Sequence, residues 1–138
     1  MKTNTPKISI QCNLSFDNDT DMDIITKEIG ITPTSYKNKK EQRKSPLKND
    51  NLEGFWSIET EKIETFYLED VTKIMVEKIQ SYLIKIKDIV TKYKGTVDFL
   101  IIPDFTLPDT PALCFDREFL DVVKFLNATI QIDMYIDK

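Results

Sequence analysis

From Lys7 to Phe16 apolar and polar residues alternate without a break: Ile8, Ile10, Cys12, Leu14 and Phe16 fall on one side, and Lys7, Ser9, Gln11, Asn13 and Ser15 on the other. A period of two with one apolar face predicts a half-buried strand of an antiparallel type of sheet. The stretch from Leu68 to Tyr93 has a different period. Leu68, Val71, Ile74, Met75, Ile79, Tyr82, Leu83, Ile86, Ile89, Val90 and Tyr93 recur at steps of three, four and one, which places them on one stripe of a long helix. At about 1.5 Å per residue such a helix is about 39 Å long, the length of a small domain. Glu69 and Asp70 near its start and Lys85, Lys87, Lys92 and Lys94 near its end complement the helix dipole, and Gly95 is the expected stop.

Shorter elements fill the rest of the pattern. The polar run Asp17 to Asp23 offers capping side chains to a helix whose apolar stripe is Met22, Ile25 and Ile29; Gly30 suits a left-handed C-terminal residue, and Pro33 blocks continuation. Phe55 to Glu59 predicts a strand with Trp56 and Ile58 on one face. Val97 to Ile102 is apolar almost throughout, as a central strand is, and Pro103 to Pro111 reads as a turn-rich connection to a short hairpin partner, Ala112 to Phe115. Asp116 can cap a further helix with Phe119, Leu120, Val123 and Leu126 inward, closed by a left-handed Asn127. The last strand, Thr129 to Ile136, turns Ile130, Ile132, Met134 and Ile136 toward the core and Gln131, Asp133, Tyr135 and Asp137 away from it.

The expected fold is therefore a single α+β domain over residues 1–138. It has a five-stranded, mostly antiparallel sheet with one long and two shorter helices packed on one face, ferredoxin-like in layout. A solvated, mobile loop at 34–54 interrupts it, because that stretch shows no apolar period.

Charge changes the picture locally. The whole chain of 138 residues carries a formal net charge of -4, yet between residues 37 and 48 Lys37, Lys39, Lys40, Arg43, Lys44 and Lys48 oppose only Glu41, so the body is distinctly acidic. An acidic body argues against a general nucleic-acid binder, which needs a broad basic face. Histidine is absent, which removes the usual general base near neutral pH and the commonest metal ligand. No apolar run resembles a signal peptide or a membrane span, so a cytoplasmic protein without membrane contact is expected. Two cysteines are too few for a disulfide framework and read as reduced thiols.

Candidate chemistry is thin. Asp17, Asp19, Asp21 and Glu28 match positions 1, 3, 5 and 12 of a calcium loop, but Met22 stands where that loop needs glycine, so helix capping is the stronger reading of these acids. Cys12 has no neighbouring group in sequence to activate it. No catalytic set, metal site or cofactor motif emerges. The polar sides of the first and last strands, Ser9, Gln11, Asn13 and Ser15 with Gln131, Asp133 and Tyr135, would make one hydrogen-bonding sheet face if these strands are neighbours.

Several short motifs carry a family likeness: Gly30-Ile31-Thr32-Pro33-Thr34, a basic loop with Arg43, Trp56-Ser57-Ile58-Glu59, the long amphipathic helix, and Ala128 to Tyr135. Over nearly its whole length the chain resembles the small bacterial proteins of domain-of-unknown-function family 4279. The resemblance implies a compact stand-alone α+β domain and carries no established activity. It picks out Gly30, Pro33, Arg43, Trp56, Asp133 and Tyr135; the long Lys-rich loop before Trp56 departs from the pattern and leaves the alignment of Arg43 open.

Two functions follow as expectations. The first is a non-enzymatic partner-binding domain, immunity-protein-like in one form, that uses the polar sheet face for a protein partner or for self-association. The alternative is a small-ligand site or enzyme with Arg43, Trp56, Asp133 and Tyr135 around one pocket; Gln131, on the polar sheet face, joins these four as a candidate ligand- or partner-binding residue. A calcium-responsive module is a third, weaker option.

Overall fold

The computed structural model describes residues 4–17, 19–38 and 54–138. Strand β1 (Lys7–Phe16) forms over the alternating segment, with Ile8, Ile10, Cys12, Leu14 and Phe16 fully buried. It is the middle of the sheet. Strand β3 (Gly54–Glu59) pairs antiparallel along one side, flanked by β2 (Ser35–Lys37), and β4 (Ile63–Glu64) continues that side next to Lys7 and Ile8. Along the whole of the other side runs β5 (Gly95–Thr106), antiparallel to β1. Beyond β5 lie β6 (Thr129–Ile132) and β7 (Tyr135–Asp137), both parallel to it.

The fold class is α+β, with a mixed seven-stranded sheet among the described residues in place of the expected five-stranded antiparallel one. The ferredoxin-like layout is not found. That layout interleaves two β-α-β units, whereas here β5 and β6 are direct neighbours joined through one helix, and β1 is antiparallel to both of its neighbours.

Two further corrections concern β5. The strand does not stop at Ile102 but runs through Pro103, and Ala112 to Phe115 is no hairpin partner: Ala112 makes an isolated bridge to Tyr67. The register explains why a proline is tolerated. Asp133 N–H donates to the Ile101 carbonyl, so the next donor on β5 would be the N–H of residue 103, aimed at the Asp133 carbonyl. Proline lacks it. The missing rung separates β6 from β7 at Asp133 and Met134, while the pairing offset is the same on both sides.

The helices cover the Ile8 side of the sheet. Asp21 caps α1 (Met22–Ile29) by accepting the Asp23 N–H at 2.9 Å, and Gly30 ends it at φ +88°. The long amphipathic stretch is built in two α-helical halves, α2 (Leu68–Ile79) and α3 (Leu83–Lys92), joined by a 3-10 turn at Gln80–Tyr82. Its stripe holds, since Leu68, Val71, Met75, Ile79, Ile86 and Ile89 are all buried. Lys94, at φ +55°, takes the left-handed position after the helix, one residue before the expected stop at Gly95. Asp116 caps α4 (Arg117–Phe125), and Asn127 turns left-handed after it at φ +51°. Phe119 meets Phe99 edge to face at 5.1 Å, which seats α4 on β5; Val122, rather than the exposed Leu120, completes its inner face.

Cys12 lies in this core. Burial, and after it the Asp98 carboxylate, pushes its thiol from 9.0 up to about 12. Above pH 9.0 the unfolded chain releases this proton while the native protein keeps it, so native stability is whole below that pH and falls as pH rises toward about 12. In that window urea titrations should show a loss of roughly 1.4 kcal/mol per pH unit that a Cys12→Ala variant lacks. A thiol reagent should label exposed Cys114 in the native protein and reach Cys12 only on unfolding. Equal labelling rates would contradict the burial.

Candidate functional site

Strand pairing fixes which side chains share the sheet face on which none of the described helices packs. Across β1, β5 and the edge strands, Lys7 pairs with Glu64 and Asp104, Asp104 with Tyr135, Gln11 with Glu59 and Leu100, Leu100 with Gln131, and Asn13 with Ser57 and Asp98. Directly paired residues point to the same side, so all of these belong to one face. The first and last strands are not neighbours, as had been expected. β5 lies between them and adds Asp98, Leu100, Ile102 and Asp104 to the face.

The β3 half of the face is closed: Asn13 and Ser57 are buried, with the Ser57 hydroxyl donating to Asn13 Oδ1 at 2.7 Å. The half toward β7 is accessible. A cavity of about 350 Å³ lies there, lined by Ser9, Gln11, Glu59, Lys62, Asp104 and Tyr135 among others. A second depression of about 480 Å³ adjoins it, sharing Lys7 and Asp104 and adding Glu64 and Thr106.

The accessible part of the face is acidic. Among the described residues Glu59, Glu64, Asp98, Asp104, Asp133 and Asp137 stand there against Lys7 and Lys62, while Lys37 lies on the opposite edge strand, β2. The ion pair seen among the described residues, Lys92 with Glu28 at 3.2 Å, lies on the helical side, where Glu28 also accepts from the Tyr93 hydroxyl at 3.0 Å. The Tyr135 phenol is held above its ordinary range, first by its hydrogen bond to Asp133, then by the charge of that carboxylate, with burial and Asp104 adding to it. At neutral pH Tyr135 is therefore a neutral group beside two carboxylates.

Of the expected site residues, Gln131, Asp133 and Tyr135 are brought together here, all exposed. Trp56 is not with them. Its pairing with Leu14 turns it to the helical side, where it is fully buried and its Nε1 donates to Thr26 Oγ1 at 3.0 Å. The thickness of the sheet thus separates the indole from Asp133 and Tyr135, so the expected four-residue pocket does not form around them. Arg43 lies outside the described residues. Lys7, Glu59, Lys62, Glu64 and Asp104 join the site without having been picked out. Lys7 could have been found from its polar phase on β1, but Asp104 could not while Pro103 to Pro111 read as a turn.

A mixed-sheet α+β domain with helices on one face and an acidic, concave polar surface on the other is the class this architecture defines. Residues 9–137 match the family model described as Domain of unknown function (DUF4279), and the chain belongs to that family. No curated protein and no solved structure matches it. Among the described residues no helix is long and apolar enough to cross a membrane.

Proposed function

We propose that the protein is a partner-binding domain whose polar sheet face, at its β5 to β7 half, takes a basic protein surface. The observation that carries this reading is the concave, accessible part of the face in which, among the described residues, Glu59, Glu64, Asp98, Asp104, Asp133 and Asp137 oppose Lys7 and Lys62. Such a field attracts Lys- and Arg-rich surfaces and repels nucleic acid. Ser9, Gln11, Gln131 and the Tyr135 phenol add neutral hydrogen-bonding groups that are cheap to desolvate, as the centre of an interface needs. An immunity-type role, in which the face covers a basic toxin surface, is one concrete form.

Immobilised protein at near-native concentration should retain a basic partner from extract of its own cell. The double variant Asp104→Asn with Asp133→Asn should weaken that retention about ten-fold or more, equivalent to about 1.4 kcal/mol, with an unchanged melting temperature. Recovery of no partner, or retention indifferent to the double variant, would sink the reading.

A further inference from the structure

The edge formed by β6 and β7 has a feature that the polar face does not explain. Asp133 N–H points inward to Ile101 O, and the Asp137 carbonyl accepts inward from Leu107 N–H, so the odd-numbered residues turn their main-chain groups toward β5. The even-numbered Ile132, Met134 and Ile136 turn theirs outward, where no hydrogen bond meets them among the described residues. Their side chains were expected in the core. They are instead 42%, 46% and 49% exposed, because α4 reaches no further along this edge than half-buried Ile130. Natural edge strands are blunted by shortness, charge, lysine, proline or a bulge; β6 and β7 are short and Asp133 and Asp137 lie on their polar side, but Thr129 to Asp137 has no lysine, proline or bulge to block pairing.

We infer that this edge is a self-association surface, on which a second copy of the chain adds its own β6 and β7 antiparallel about a two-fold axis through Met134. Charge and the extent of the strand together select this register. Side chains opposite one another must share a face, which leaves only registers centred on a residue. Centring on Asp133 sets Asp133 against itself, and centring on Tyr135 sets Asp133 against Asp137; like charges directly opposite disfavour both. Centring on Met134 sets Ile132 against Ile136, Asp133 against Tyr135, and Gln131 against Asp137. Apolar then meets apolar, and each carboxylate meets a donor. Centring on Ile132 also avoids like charges, but it brings in Asn127 at φ +51° and Ala128, whose N–H is bound to Val123 O, where the chain has left the strand direction.

The contact is isologous, each copy offering the same patch, and it makes the two sheets continuous. It also joins the two polar faces across the axis, with Asp133 of one copy opposite Tyr135 of the other. It does not depend on the partner reading, which uses the sheet face and not its edge.

Light scattering from low micromolar to near-millimolar protein should give twice the 16.1 kDa chain mass at the upper end, and Met134→Lys should return the monomer mass. In a Cys114→Ser background, Met134→Cys should form a reducible covalent dimer, since opposed residues in an antiparallel pair lie within disulfide reach. Ile132→Cys, equally exposed but four residues from its own copy, should not. A monomer mass throughout would overturn the proposal, and so would cross-linking at 132 in preference to 134.

Discussion

Trp56→Ala should lower the unfolding free energy by about 3–5 kcal/mol, moving the urea midpoint by about 2 M for a domain of this size. The indole is fully buried, lies between Leu14 and Tyr36 in the strand register, and holds α1 to the sheet through Thr26 Oγ1 at 3.0 Å. The Thr26 hydroxyl in turn donates to Met22 O at 3.1 Å, so one side chain links β3 to the first turn of α1. Truncation removes the ring's burial and the hydrogen bond together. Against a total stability of roughly 5–15 kcal/mol, the variant should be partly unfolded at physiological temperature. Trp56→Phe keeps most of the apolar surface, and Thr26 keeps its bond to Met22 O, so its cost should be less than half as large. Partner retention should fall in both variants only in proportion to the unfolded fraction, because Trp56 does not reach the polar face. A Trp56→Ala variant of near-wild-type stability that had lost binding would return Trp56 to the site.

The placement of Trp56 was already implied by the phase of the sequence. Alternation put Trp56 with Ile58 on the apolar side and Asp133 with Tyr135 on the polar side, so a pocket using both contradicted the same pattern that defined the strands. β1 and the caps at Asp21, Gly30, Asp116 and Asn127 were legible because each follows from local rules: a period of two, a side-chain acceptor, a left-handed residue. What was not legible depends on neighbours. Pro103 reads as a strand breaker, yet the donor it lacks would face the edge strands β6 and β7, where one rung can be lost. Likewise the alternation from Ile130 to Ile136 gives which way each side chain points and not whether a helix lies over it. Seating α4 by Phe119 on Phe99 leaves the far end of that edge bare.

Gly95→Ala should destabilise the protein by about 1–3 kcal/mol, although in an unobstructed strand the loss of glycine's freedom in the unfolded chain would favour alanine. A Cβ at this position would sit 2.5 Å from Phe16 Cε1, 2.7 Å from Phe16 Cδ1 and 3.0 Å from Ser15 O. Phe16 pairs directly with Gly95 and is itself fully buried, so its ring cannot swing away without opening the core between β1, α1 and β3. The obstacle is therefore one aromatic ring, and a second substitution can test that. Phe16→Leu alone should destabilise by leaving a cavity, but combined with Gly95→Ala the losses should fall short of their sum by about 1 kcal/mol or more. Gly30 provides the contrast. Its φ of +88° makes alanine strained, while the nearest heavy atom to an added Cβ is Lys85 Nζ at 4.0 Å. Gly30→Ala should thus cost about 1–2 kcal/mol for backbone reasons alone and add independently to Phe16→Leu. Strict additivity of Gly95→Ala with Phe16→Leu in urea unfolding would show that the strand tolerates the methyl group in some other way, and that Phe16 is not what reserves this position for glycine.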